Sequence, residues 1–166
     1  MFGLTSLGVF HTAISLVAVV AGLICLFRDK AITLDTMAGS IYVWTTILTC
    51  LTGFGIFQHG GFGKPHALGV LTLITLAVAW LAGRRKSFGR NSRYVEVVAY
   101  SATFLFHLIP ATTETFTRLP AGHPLFSSPE DPALAALTGV YLLVFLVGAT
   151  VQVMRLRGSP RLELRH

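Results

Sequence analysis

The stretch FGLTSLGVFHTAISLVAVVAGLICLF, residues 2–27, contains no Asp, Glu, Lys or Arg, and the charged residues RDK follow it directly. About 20 apolar residues are enough for a helix to cross the hydrocarbon core of a bilayer. Because lipid offers no hydrogen-bond partner to the backbone, a segment of this kind must be helical when it spans a membrane. This stretch therefore predicts a first transmembrane helix.

Four further segments of the chain have a similar length and composition. The five predicted transmembrane helices are Phe2 to Phe27, Met37 to Phe57, Pro65 to Gly83, Tyr94 to Thr117 and Ala133 to Met154. The chain of 166 residues is 53% hydrophobic and 12% charged, against about 25% charged in soluble domains. We predict an all-α polytopic bundle, with one domain over residues 1–157 and a cytoplasmic tail over residues 158–166.

The positive charges are distributed unequally between the two sides of this predicted bundle. Eleven of the 13 Lys and Arg residues follow helices 1, 3 and 5, whereas Lys64 and Arg118 are alone on the other side. By the positive-inside rule, the N-terminus lies outside and the C-terminus lies in the cytoplasm. The same topology accounts for the net charge of +6, so no nucleic-acid partner is predicted.

Five of the six histidines fall on the outer side in this topology. His11 lies in the outer half of helix 1 and His107 in the outer half of helix 4, at a similar predicted depth. His59, His66 and Glu114 lie nearer to the outer rim. An ionisable side chain inside a membrane is costly, so such residues indicate a functional site by default.

Helical spacing predicts that these side chains face protein. On helix 4 one stripe contains Glu96, Tyr100, Thr103, His107 and Glu114. On helix 1 the face of His11 continues as Ser15, Ala18, Gly22 and Cys25, and on helix 2 the threonines Thr45, Thr49 and Thr52 lead to His59. The core of helix 5 has no ionisable residue, which predicts that this helix packs at the periphery.

The leading functional hypothesis is electron transfer through haem b or a transition metal (Fe, Cu or Zn) near the periplasmic face. Neutral imidazole is a common ligand of these groups, and helical bundles build such sites from facing helices. We predict His11 and His107 as the ligand pair and His59 and His66 as alternative ligands. Glu114 is predicted as a carboxylate partner, either a direct ligand or hydrogen-bonded to one.

Two other functions are compatible with the same residues. His107, Glu114 and Glu96 could relay protons in a transporter, and Pro110 would free a backbone carbonyl near that path. Alternatively, the chain is a non-catalytic accessory subunit that contacts lipid and another membrane subunit or a periplasmic redox partner. No GxSxG, HExxH, phosphate-binding glycine loop or CxxCH is present, so no enzyme class is assigned.

The segment GSIYVWTTILTCLTGFGIFQHGG, Gly39 to Gly61, continues after a short gap as HALGVLTLITLAVAWLAG, residues 66–83. These segments resemble an uncharacterised family of bacterial multi-pass membrane proteins, over helices 2 to 4. The resemblance implies a location in the bacterial inner membrane. It implies no catalytic residue, because that family has no settled activity.

Overall fold

The structure, a computed structural model, describes residues 5–56, 61–120 and 122–158. Within these ranges it consists of five α-helices without a β-strand, so the predicted all-α class is confirmed. The helices are α1 (Ser6–Ile24), α2 (Met37–Gly53), α3 (Lys64–Arg85), α4 (Ser92–Arg118) and α5 (Pro132–Gly158). A π-helical turn at Cys25–Asp29 extends α1, and a 3₁₀ turn at Gly89–Asn91 leads into α4.

Four helical stretches are long and apolar enough to cross a membrane. They are Ser6–Asp29, Lys64–Arg85, Gly89–Arg118 and Pro132–Gly158. The remaining apolar helix, α2, has 17 residues. Its length of about 26 Å falls short of a hydrocarbon core of about 30 Å.

The sequence predicted that α2 continues to Phe57, whereas the helix ends at Gly53 and a turn follows at Phe54 and Gly55. Two glycines within three residues explain the earlier end, because glycine is a poor helix former. Phe57 lies outside the described residues.

The helices pack as two pairs with a peripheral fifth member. α1 lies along α2, α3 lies along α4, and α5 contacts α4. The predicted small-residue face of α1 is buried at Ala18 and Gly22, and a Cβ atom on Gly22 would lie 2.6 Å from the Phe104 ring. Glycine therefore permits the close approach of α1 to α4, while α5 leaves most of its apolar surface outside the bundle.

The predicted polar stripe of α4 faces the interior over most of its length. Glu96, Tyr100, Thr103 and His107 are all buried, whereas Glu114 at the outer end of the stripe is exposed. Helix α4 runs without a break through Pro110. The sequence thus identified the buried face of α4 correctly for four of its five positions.

The connection between α1 and α2 folds tightly onto the start of α2. Thr36 caps this helix, since its Oγ1 accepts a hydrogen bond of 3.0 Å from the Gly39 N–H group. The Ser40 hydroxyl donates to the Leu34 carbonyl at 3.1 Å. A Cβ atom on Gly39 would lie 1.8 Å from the Thr33 carbonyl oxygen, so only glycine fits between the helix and its preceding loop.

Candidate functional site

A cavity of about 490 Å³ lies at the end of the bundle where α1 and α3 begin and where α2 and α4 end. Its lining includes four of the five predicted site residues, His11, His66, His107 and Glu114. His59 lies outside the described residues. The fold therefore brings together side chains that are far apart in the sequence and come from three helices.

His11 reaches the cavity from α1 and bonds to α2. Its Nδ1 atom lies 3.0 Å from Oγ1 of Thr52, and the Thr52 hydroxyl donates to the Leu48 carbonyl at 2.8 Å. A Cβ atom on Gly53 would lie 3.2 Å from the His11 ring, so glycine gives the imidazole room beside α2. His11 is half-buried in this position.

His107 is buried and bonds to the same helix. Its Nε2 atom lies 3.0 Å from Oγ1 of Thr46, whose hydroxyl donates to the Tyr42 carbonyl at 2.7 Å. The Tyr42 ring and the imidazole pack edge to face at a centroid distance of 6.0 Å. The Tyr42 hydroxyl in turn forms a hydrogen bond of 2.8 Å with Thr103. A chain of buried polar contacts thus links one side of His107 to α2 and α4.

The geometry at the two threonines favours one tautomer of each imidazole. Each hydroxyl has a single proton, and in both cases the contact to the helix carbonyl is the shorter one. Both hydroxyl oxygens therefore accept, and His11 Nδ1 and His107 Nε2 are the donors. In the neutral rings, His11 Nε2 and His107 Nδ1 then carry the lone pairs. A histidine that ligates a metal shows the same arrangement, with its other ring N–H held by a neighbour.

The partners of the two histidines lie at different heights along α2. Thr46 and Thr52 are six residues apart, which corresponds to about 9 Å along the helix axis. His107 is consequently anchored deeper in the bundle than His11. The sequence predicted a similar depth for the two imidazoles, and in the structure each of them bonds to a different turn of α2.

His66 has a structural role at the start of α3. Its Nδ1 atom accepts a hydrogen bond of 3.2 Å from the Gly63 N–H group, and its ring stacks on Phe54 with a centroid distance of 6.5 Å. Phe62 packs on the ring at 5.4 Å. Because the Nδ1 lone pair already accepts this bond, the ring serves as a helix cap in this conformation.

Glu114 lies at the mouth of the cavity and pairs with Arg118 one turn further along α4. Its side chain is 59% exposed. The ion pair holds the carboxylate on the surface of its own helix. In this conformation Glu114 has a cationic partner in place of the predicted imidazole partner.

The described parts of the chain contain no group of three or more His, Cys, Asp and Glu side chains close enough to hold a metal ion. A zinc site needs three or four protein ligands, so the pair His11 and His107 does not complete one. A haem needs fewer protein ligands, because the porphyrin supplies four nitrogens and the protein supplies the axial ones.

Sequence reasoning missed two residues of this site. Thr46 and Tyr42 are both fully buried, whereas the polar stripe of helix 2 was predicted through Thr45. A stripe through Tyr42, Thr46, Thr49 and Gly53 has the spacing of 4, 3 and 4 that marks one helix face. That spacing in the sequence could have identified Tyr42 and Thr46 as residues of the buried face.

No known protein family, curated protein or solved structure matches this chain. The resemblance to a family of bacterial multi-pass membrane proteins therefore stays a prediction. Since a fold alone does not imply a function, the chemistry of the cavity is the basis for assigning one.

Proposed function

We propose that this protein binds a b-type haem through His11 and His107 and transfers electrons in the bacterial inner membrane. One observation carries the proposal: both imidazoles line the same cavity, and each of them is hydrogen-bonded to a threonine on α2. The cavity volume also falls within the range of about 300–1,000 Å³ that is usual for ligand sites.

The residues present fit a haem better than a lone transition-metal ion. Two imidazoles would be enough protein ligands for a haem, whereas Fe, Cu or Zn alone would need further protein ligands. When bound, the haem would supply one-electron chemistry, with the protein setting its potential through the axial ligands and their hydrogen bonds. A periplasmic redox partner or a second membrane subunit would exchange electrons with it.

The proton-coupled transporter is the weaker candidate. Beyond the cavity, the bundle is filled by a hydrophobic cluster that includes Ala18, Tyr42, Leu76, Tyr100 and Phe104. This cluster separates His107 from Glu96 along the predicted path. An accessory subunit without a cofactor is the function that would remain if no haem or metal binds.

The experiment is an absorption spectrum and a metal analysis of the detergent-purified protein from cells supplied with haem precursor and iron. We expect a Soret band that shifts on reduction and close to one haem per chain. If the purified protein holds neither a chromophore nor stoichiometric metal, and haem added afterwards does not bind, the electron-transfer proposal is wrong.

The proposed topology has five crossings, with the N-terminus in the periplasm and α2 spanning together with residues that follow it. We expect a reporter fused after Arg157 to give a cytoplasmic signal, and one inserted in the connection after α4 to give a periplasmic signal. The excess of Lys and Arg after helices 1, 3 and 5 is the physical reason. A periplasmic signal after Arg157 would contradict this topology.

Thr46 and Thr52 are proposed to position the two imidazoles. We expect Thr46→Val and Thr52→Val each to weaken haem binding about tenfold, since hydrogen bonds to a ligand histidine are commonly worth 10–100-fold in metal affinity. The measurement is a haem titration of apoprotein. Thr75→Val is the matched control, because this hydroxyl donates to the Leu71 carbonyl on α3 and lies outside the cavity lining. Equal affinities for all three variants would contradict the positioning role.

A further inference from the structure

A second, more apolar groove of about 330 Å³ runs between α4 and α5. Phe104, Leu105 and Leu108 form its wall on α4, and Val144 and Phe145 form its wall on α5. The end nearest to Arg155 lies at the opposite end of the bundle from the histidine cavity. Lys30, which follows the α1 span, also lines this end of the groove.

The groove has the length of a lipid tail. On α5 its lining extends from Tyr141 to Arg155, which corresponds to about 21 Å along the helix axis. One leaflet contributes about half of a hydrocarbon core of about 30 Å. A single acyl chain can therefore lie along the groove from the bilayer centre to its charged end.

A buried hydrogen-bond network gives the charged end a defined structure. The Ser101 hydroxyl donates to Oε1 of Gln152 at 3.0 Å, and Nε2 of Gln152 donates to the Lys30 carbonyl at 3.0 Å. Gln152 is 9% exposed, so this link between α4, α5 and the end of α1 is built into the core. It holds the backbone of Lys30 beside the last turns of α5, where Arg155 lies.

Two residues with cationic side chains, Lys30 and Arg155, thus line one end of an apolar groove. The Lys30 ammonium has three N–H donors and uses one on the Phe27 carbonyl. Arg155 carries a guanidinium whose fork matches the oxygens of a phosphate. Basic pockets between transmembrane helices on the cytoplasmic side are typical binding sites of anionic lipid headgroups.

We propose that this groove is a specific site for one anionic phospholipid, with an acyl chain between α4 and α5 and the phosphate against Lys30 and Arg155. The proposal is independent of the haem site. Charge complementarity selects the anionic headgroup, and the apolar walls select a chain-bearing lipid over a free phosphate. The site would attach the peripheral helix α5 more firmly to the bundle.

Mass spectrometry of the detergent-purified protein tests this proposal, with phosphatidylglycerol and phosphatidylethanolamine supplied in equal amounts. We expect about one phosphatidylglycerol per chain in the wild type. The double variant Lys30→Gln/Arg155→Gln should retain it at least about tenfold less. Arg90→Gln/Arg157→Gln is the control with the same loss of charge, since neither residue lines the groove, and it should retain the lipid.

A second pair of variants tests the acyl-chain part without any change of charge. Gly148 lines the groove, and Gly139 lies on the same helix outside it; a Cβ atom at either position meets no other atom within 4 Å. We expect Gly148→Leu to displace the lipid and Gly139→Leu to keep it. Comparable melting temperatures of the two variants would confirm that both fold.

Three results would overturn the proposal. The first is retention of both lipids in their supplied proportion, which indicates bulk lipid only. The second is unchanged retention of phosphatidylglycerol in both the charge variant and Gly148→Leu. The third is equal thermal stabilisation of the delipidated protein by inorganic phosphate and by phosphatidylglycerol, which indicates an anion site without a lipid.

Discussion

Replacement of either proposed axial ligand should remove the haem. We expect His11→Ala and His107→Ala each to lower the haem content of the purified protein by at least about tenfold, because each variant loses one proposed iron ligand and its α2 hydrogen bond. The measurement is the reduced-minus-oxidised difference spectrum, normalised to protein. The loss should be larger than in Thr46→Val or Thr52→Val, which keep both imidazoles.

His123→Ala is the control for this experiment. His123 is exposed in the connection after α4 and lies outside the cavity lining, so its replacement should leave the spectrum unchanged. Size-exclusion profiles and melting temperatures of the three variants separate loss of haem from loss of fold. Full haem occupancy in both His11→Ala and His107→Ala, with intact folding, would show that these histidines are not the ligands.

The largest effect on stability is expected at Gly39. In Gly39→Ala the new Cβ atom would lie 1.8 Å from the Thr33 carbonyl oxygen and 2.8 Å from its carbon. Both are backbone atoms, so the loop between α1 and α2, which carries the Thr36 cap, must move. We expect a destabilisation of about 3 kcal/mol, at the upper end of ordinary overpacking. Unfolding of the detergent-solubilised protein, followed by circular dichroism, measures it.

Gly139→Ala is the matched control for Gly39→Ala. Gly139 lies within α5 and has open space around it, so alanine there should stabilise the helix by up to about 1 kcal/mol through its higher helix propensity. Opposite signs for the two substitutions would locate the effect in the contact with Thr33. Similar melting temperatures for Gly39→Ala and the wild type would show that the loop adapts without cost.

The sequence predicted most of the fold because the relevant signals are local. Length and apolar composition identified the helices, and the spacing of Glu96, Tyr100, Thr103 and His107 identified the buried face of α4. The end of α2 was predicted four residues too late. The apolar residues around Gly53 and Gly55 favour a longer span, and composition alone does not show that the two glycines end the helix. The prediction of a peripheral helix 5 agrees with the observed contact of α5 with α4.

Four of the residues that the sequence proposed for a site line one cavity. His11 and His107 were chosen because buried imidazoles in a membrane segment are costly, and both line the cavity. His66 and Glu114 line it too, but the hydrogen bond from Gly63 and the ion pair with Arg118 give each of them a local partner. Whether a polar residue bonds locally or across the bundle depends on contacts that spacing does not reveal.

Composition and periodicity alone predicted an all-α protein with helices long and apolar enough to cross a membrane, and with polar stripes facing its interior. Such a prediction is possible because the free energy of transferring a helix into a bilayer is the sum of contributions from its side chains. The orientation of the helix depends on which polar side chains share a face. The pairing of His107 with Thr46, of His11 with Thr52 and of Tyr42 with Thr103 emerged only from the packed bundle. The rotation and height of each helix against its neighbours select those partners, and both depend on close contacts such as Gly22 against Phe104.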